Sequence, residues 1–161
     1  MHKLISSLAL LCLLCITAFR CEQEDFIIDA PYSCSPSGGM EGTWRLQAYQ
    51  HIDSRKLEED PDPSGRGVVL TFVEKGDQGT IQGYTVANQV GGSYQKADAC
   101  QLLNLAFGGT KVAEPTSWSA KVWTAMNSAT GYEIYRGKGQ KDQLSIYFNN
   151  RSERMIFRKE K

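Results

Sequence analysis

Few residues of this chain could do chemistry. Past the first 20 residues there is one histidine, His51. Imidazole is a ready metal ligand and general base, but a metal centre needs further His, Cys or carboxylate donors at close spacing. His51 stands in a polar stretch without them and reads as a surface side chain. Glu58, Glu59, Asp60 and Asp62 follow it. A dedicated Ca²⁺ loop would alternate Asp or Asn around a central Gly and end in Glu. This stretch does not, so it reads as a solvated acidic loop stiffened by Pro61 and Pro63. A nucleophile needs a neighbouring base. No Gly-x-Ser-x-Gly elbow is present, and Cys34 paired with His51 would sit in a segment too loose for preorganised chemistry. Gly108-Gly109-Thr110 reads as a turn rather than a phosphate cradle. Asn150-Arg151-Ser152 matches a glycosylation acceptor pattern but reads as an ordinary turn. The sequence therefore predicts no catalytic residue, no metal site and no cofactor, and the chain reads as non-enzymatic.

Aromatic side chains are the better candidates for recognition. Trp44 and Trp118 fall on apolar stripes and read as core. Trp123 falls off the helical stripe and is a candidate contact for a partner, together with His51 and Tyr49. Tyr84, Tyr135 and Tyr147 could extend such a face from the outward positions of their strands. Gly83 and Asn88 are residue types that tolerate positive φ, which suits turns and bulges.

The elements that must position these residues are mostly strands. Trp44, Leu46 and Ala48 alternate with Arg45, Gln47 and Tyr49, the pattern of a strand with one buried face. Val68, Leu70 and Phe72 alternate in the same way. A turn at Gly76-Asp77 and Gly79 leads into Thr80–Val86 as a hairpin. Ser93–Gln95, Gln101–Phe107, Tyr132–Arg136, Leu144–Phe148 and Arg154–Arg158 supply further strands. The period changes once, where Ser117 is placed to cap a helix carrying Trp118, Val122, Ala125 and Met126 on one stripe. Eight or so short strands with one inserted helix predict a mainly β fold, a small antiparallel curled sheet or barrel. His51–Arg66 reads as the longest structureless loop.

Composition sets the address and excludes some partners. Of 161 residues, 18 are basic and 18 acidic, a balance unsuited to nucleic acid. Leu4–Phe19 is an almost unbroken apolar run that would span about 24 Å as a helix, short of the roughly 30 Å hydrocarbon core. It reads as a removable export signal. Cys21 then precedes Glu22, Gln23, Glu24 and Asp25. This resembles a bacterial lipoprotein signal, and the acidic tetrad is similar to the surface-export signal of Bacteroidetes lipoproteins. The resemblance implies lipidation at Cys21, with simple secretion as the alternative. Cys34 and Cys100 then remain, either as one disulfide or as two free thiols. The organisation that follows is a signal peptide at 1–20, a flexible tether at 21–41 and a β domain at 42–161. Phe26, Ile27 and Ile28 are the apolar exception in that tether, suited to docking on the domain or to an edge strand.

Gly42-Thr43-Trp44-Arg45-Leu46 resembles the opening Gly-x-Trp-x-Leu strand of META-domain proteins. Leu70-Thr71-Phe72, Ile81-x-Gly83, Asn88, Gly92-Ser93-Tyr94, Gly109-Thr110, the Trp118–Met126 helix, Leu144-Ser145-Ile146 and Met155-Ile156-Phe157 follow in that family's order. Gly42, Trp44, Gly83, Asn88 and Tyr94 are the motif positions. Ala87 stands where the family often has Cys, and Thr110–Glu114 replaces its Thr-x-Met-x-Cys segment. A lipocalin-like barrel also opens on Gly-x-Trp and is the alternative fold. The resemblance implies a non-catalytic, stress-related envelope lipoprotein, held at the membrane by its N-terminal lipid. Such a monomer would bind an envelope protein or stabilise an envelope complex. A secreted hydrolase inhibitor acting through the 51–66 loop, and a small-ligand carrier, are the alternatives.

Overall fold

The computed structural model describes residues 39–136 and 142–160. The elements, in order, are β1 (Gly42–His51), β2 (Leu57–Glu59), β3 (Val69–Lys75), β4 (Gln78–Tyr84), β5 (Gln89–Ala97), β6 (Gln101–Gly109), α1 (Ser117–Asn127), β7 (Gly131–Tyr135), β8 (Gln143–Phe148) and β9 (Glu153–Lys159). The chain is mainly β with one α-helix among the described residues, the class that the alternating pattern predicts.

Neighbouring strands are all antiparallel, in the order β1-β3-β4-β5-β6-β7-β8-β9, and β9 returns to pair with β1. Eight strands thus close a ring. β2 adds to the far half of β1 (Ala48↔Glu59 to Gln50↔Leu57), past the end of the β3 pairing at Arg45↔Val69. One seam is thin. β6 meets β7 through the single pair Gln101↔Gly131, so the sheet is a ring rather than a continuous barrel. Strong curling brings strands close enough that a side chain would collide. A Cβ at Gly83 would lie 2.1 Å from the Val69 carbonyl oxygen, and its φ is +154°.

The interior is filled by Trp44, Leu46, Leu70, Phe72, Ile146 and Phe157 among others. Helix α1 adds Trp118, Val122, Ala125 and Met126, the stripe read from its period. Its N-cap is Thr116 rather than Ser117. The Thr116 hydroxyl accepts the Ser119 N–H at 3.0 Å. At the other end, Asn127 grips the edge of β6. Its Oδ1 accepts the Phe107 N–H at 3.1 Å, and its Nδ2 donates to the Phe107 carbonyl at 3.0 Å. The side-chain amide thus replaces one residue of a missing neighbour strand and blunts an edge.

Three expectations are corrected. Pairing of β1 with β9 skips between Leu46 and Ala48, so Gln47 is a bulge. The bulge turns Tyr49 inward, where it is 1% exposed, instead of leaving it outside with Arg45. The 51–66 stretch is not structureless. It carries β2, and Arg45 donates to the carbonyls of Pro63, Gly65 and Arg66 at 2.8–3.2 Å. Finally, the domain starts before Gly42. Met40 is fully buried, its N–H donates to Glu74 Oε1 at 3.0 Å, and its carbonyl accepts Trp44 Nε1–H at 2.6 Å. The export signal, Cys21, Phe26–Ile28 and Cys34 lie outside the described residues. Cys100 is buried and disulfide-bonded.

Candidate functional site

Two clusters lie at the end of the ring that α1 covers. The first is polar and aromatic. The ammonium of Lys121 stands 2.9 Å from Glu153 and 3.3 Å from Glu58, 4.7 Å from the centre of the Tyr49 ring. His51 Nε2 lies 3.7 Å from the same Glu153 carboxylate, and Asn149 donates to it at 2.8 Å. Burial alone would raise the pKa of Glu153. Hydrogen bonds from Lys121 and Asn149, with the charges of Lys121 and His51, outweigh that and lower it. Tyr49 stacks edge-on against Trp118 at 5.5 Å and donates to the Trp118 carbonyl at 3.2 Å. Burial first, then Glu58, Glu114 and Asp60, hold its phenol well above the ordinary range. A buried, neutral tyrosine already spending its proton on a backbone carbonyl is neither a general base nor a contact for a partner. His51 keeps about half of its side chain exposed and is the accessible member of the cluster.

The second cluster backs a groove. Asn88 is almost completely buried, and its carboxamide makes four hydrogen bonds. Oδ1 accepts from Val112 N–H at 2.7 Å and from the Thr110 hydroxyl at 3.0 Å. Nδ2 donates to the Val112 carbonyl at 2.8 Å and to Glu114 Oε1 at 2.6 Å. The Thr85 hydroxyl also donates to Glu114, and Asn88 N–H to Thr85. Asn88 therefore acts through its side chain. It is not among the residues with positive φ, contrary to the reading from its type. The Thr110–Glu114 segment it holds forms, with Gly108, Gly109 and Trp123, a groove of about 520 Å³. Trp123 packs on Phe107 at 5.5 Å and Val112 is 59% exposed, so the groove has an apolar rim on a pinned backbone.

The opposite end of the ring is closed by Glu74. Its carboxylate accepts from Met40 N–H and the Tyr94 hydroxyl, both at 3.0 Å, and holds Lys96 at 2.9 Å. Burial, then the charge and hydrogen bond of Glu74, push the Tyr94 phenol up. Gly42, Trp44 and Tyr94 are thus structural. A Cβ at Gly42 would meet the Lys159 side chain at 2.9 Å, and the Lys159 ammonium lies 5.3 Å from the Trp44 ring. Tyr147 is also buried rather than outward-facing and free. It donates to Glu133 at 2.7 Å, and burial with that bond raises its pKa to about 12.

Of the residues singled out by sequence, the structure brings His51 and Tyr49 together and places Trp123 apart from them, on the groove. Sequence reasoning missed Glu74, Glu114, Lys121, Asn127 and Glu153, whose partners lie on other elements. Among the described residues no three His, Cys, Asp or Glu side chains gather around a common point.

These features define a small mainly-β module with a packed interior, plugged by one helix. No protein-family model matches the chain, and no curated protein does. Two solved structures are similar to it. A protein from Burkholderia xenovorans is 17% identical, with a TM-score of 0.62 over 86% of this chain and 96% of that one. A duf4847 family protein from Bacteroides vulgatus is 21% identical, with a TM-score of 0.49 over 75% of this chain and 95% of that one. The first likeness extends to the fold and no further.

Proposed function

We propose that the protein is a non-catalytic, lipid-anchored envelope protein that binds another protein through the Trp123 groove. The supporting observation is the contrast between interior and rim. Trp44, Leu46, Phe72 and Phe157 occupy the space that a lipocalin-like carrier would leave for its ligand. Trp123 and Val112 instead flank a groove whose backbone Asn88 holds in place. A tryptophan beside a rigid wall is the usual form of an interface anchor, since little freedom remains to be lost on binding. Export, lipidation at Cys21 and a stress-related role, as the lipoprotein and META-domain resemblances imply them, support an envelope protein as the partner.

The test is crosslinking in the native host with the wild type, Trp123→Ala and Val112→Asp. Val112 is largely exposed, so Val112→Asp leaves the fold intact. Both variants are expected to lose the crosslinked partner by at least about tenfold, the scale of a hot-spot residue. Recovery of the same partner at wild-type levels by both would refute the reading. The 51–66 loop supports a second reading, as an inhibitor. Arg45 ties three of its carbonyls and lies 3.7 Å from Asp60, which preorganises the loop. Loss of binding on substituting Ser64 and Arg66, but not Trp123, would favour that alternative.

A further inference from the structure

The free edge of β6 is blunted at Phe107 and open again two residues later. The Phe107 N–H and carbonyl both turn to Asn127 of α1, away from β5. Backbone groups alternate in direction along an antiparallel strand, so those of Gly108 turn towards its partner Gly91 on β5, and those of Gly109 turn away again. Thr110 fixes the phase, since its N–H points back to β5 and donates to the Gln89 carbonyl at 3.0 Å. The Gly109 N–H and carbonyl therefore face the open side of β6, and neither meets a hydrogen-bond partner among the described residues. Gly109 is exposed, and no side chain of its own or of Gly108 stands over this rung.

That open side is the Trp123 groove, which Gly108 and Gly109 line. Asn127 donates to the Trp123 carbonyl at 2.9 Å, one helical turn back, so the same helix that closes the rung at Phe107 presents an indole at the next one. Lys111 is the one charged side chain in the lining. It is exposed and forms no ion pair among the described residues. Glu114, the nearest acid in the sequence, turns inward to Thr85 and Asn88. The groove thus holds side by side a strand's donor and acceptor, an apolar wall at Trp123 and Val112, and an unpaired ammonium. A helix cannot use such a rung, because its own N–H and carbonyl groups are already bonded to each other. An extended segment can, and unpaired strand edges are natural templates for one.

We propose that the partner enters the groove as an extended segment that pairs with Gly109. It sets an apolar side chain between Trp123 and Val112 and an Asp or Glu against Lys111. This rests on the Trp123 reading above and adds the backbone form and the charge of what is recognised. Main-chain bonds then supply affinity, and the two side chains supply selectivity.

The probes are seven-residue peptides selected from a random library against the full chain. The selected peptides are expected to carry an acidic residue and to lose at least about tenfold in affinity for Trp123→Ala. Methylating their backbone amides one at a time should cost at least about tenfold at the amide that faces Gly109 and little at its two neighbours, which point away. Lys111→Glu should weaken binding by about threefold or more, and exchanging the peptide's acid for Lys should restore it. A methylation profile that is flat, or that repeats every three or four residues, would overturn strand pairing and leave the Trp123 reading standing. So would a selection that yields no peptide while Trp123→Ala still loses the crosslinked partner. A charge exchange without rescue would overturn the acidic residue. Selected peptides that bind Trp123→Ala and Val112→Asp as tightly as the wild type would overturn both readings.

Discussion

Replacing Asn88 by Ala removes one carboxamide and four hydrogen bonds at once. Thr110 and Glu114 can turn to water at the rim, but the Val112 N–H and carbonyl are fixed by the backbone and lose their partners. An unpaired buried polar group costs about 1–3 kcal/mol. Two half-buried groups therefore put the loss at about 2–4 kcal/mol. With a urea slope of about 1.5 kcal/mol/M, the unfolding midpoint falls by roughly 1.3–2.7 M. Asn88→Asp is the sharper variant, because it keeps shape and volume. It replaces the Nδ2 that donates to Glu114 at 2.6 Å with a carboxylate oxygen. Two acceptors then face each other, so Asn88→Asp should be at least as unstable as Asn88→Ala at neutral pH, although its atoms fill the same space. Hydrogen exchange should locate the damage at residues 110–114, with the amides of β8 and β9 protected until global unfolding. A loss below about 1 kcal/mol for Asn88→Ala, or wild-type stability for Asn88→Asp, would refute the claim that this amide pins the groove.

Other predictions follow from the same coordinates. Gly83→Ala should destabilise by more than about 2 kcal/mol in urea titration, because its Cβ would lie 2.1 Å from the Val69 oxygen and its φ is +154°. Gly108→Ala, where a Cβ meets nothing within 4 Å, should change stability by less than about 0.5 kcal/mol. Alkaline pH should weaken the fold. Tyr49, Tyr94, Tyr132 and Tyr147 all have raised folded-state pKa values, chiefly by burial, with Tyr147 at about 12. Between the unfolded value near 10 and the folded values, the native state holds more protons than the unfolded chain. The stabilisation is thus complete below about pH 10 and is lost as pH rises towards 12, and a urea midpoint unchanged across that window would contradict it.

Local periodicity carries information about which face a residue takes only while the pairing register is regular. Trp44 and Leu46 are legible as core because β1 and β9 pair in step up to Leu46. Nothing about Gln47 marks it as an extra residue, so the inversion that buries Tyr49 is set by the neighbouring strand and not by β1 itself. The helix is legible for the opposite reason, since its stripe depends on its own 3.6-residue period. Its start is ambiguous by one position in the sequence because Thr116 and Ser117 are both good caps. Gly83 was legible through its type. Asn88 was legible as special but for the wrong cause, since its value lies in a carboxamide whose partners are at least 22 residues away. Glu74, Lys121 and Glu153 carried no local signal at all, as charged residues on strands and helices usually face water.

Those three charged residues explain why a ring with one thin seam can serve as a rigid platform. Glu74 of β3 ties the Met40 backbone to Tyr94 and Lys96, so the lead-in to β1 and strand β5 converge on one carboxylate at one end. Lys121 joins α1 to β2 through Glu58 and to β9 through Glu153 at the other end. Trp118 adds a bond from its indole N–H to the Glu58 carbonyl at 3.0 Å, and Asn127 holds β6 where β7 does not reach it. The helix therefore spans the gap that the single Gln101↔Gly131 pair leaves. A partner that docked on Trp123 would press against a helix anchored to β2, β6 and β9 at once. The contact energy is then not spent on ordering the binding surface, which is the condition for a small exposed groove to hold a protein tightly.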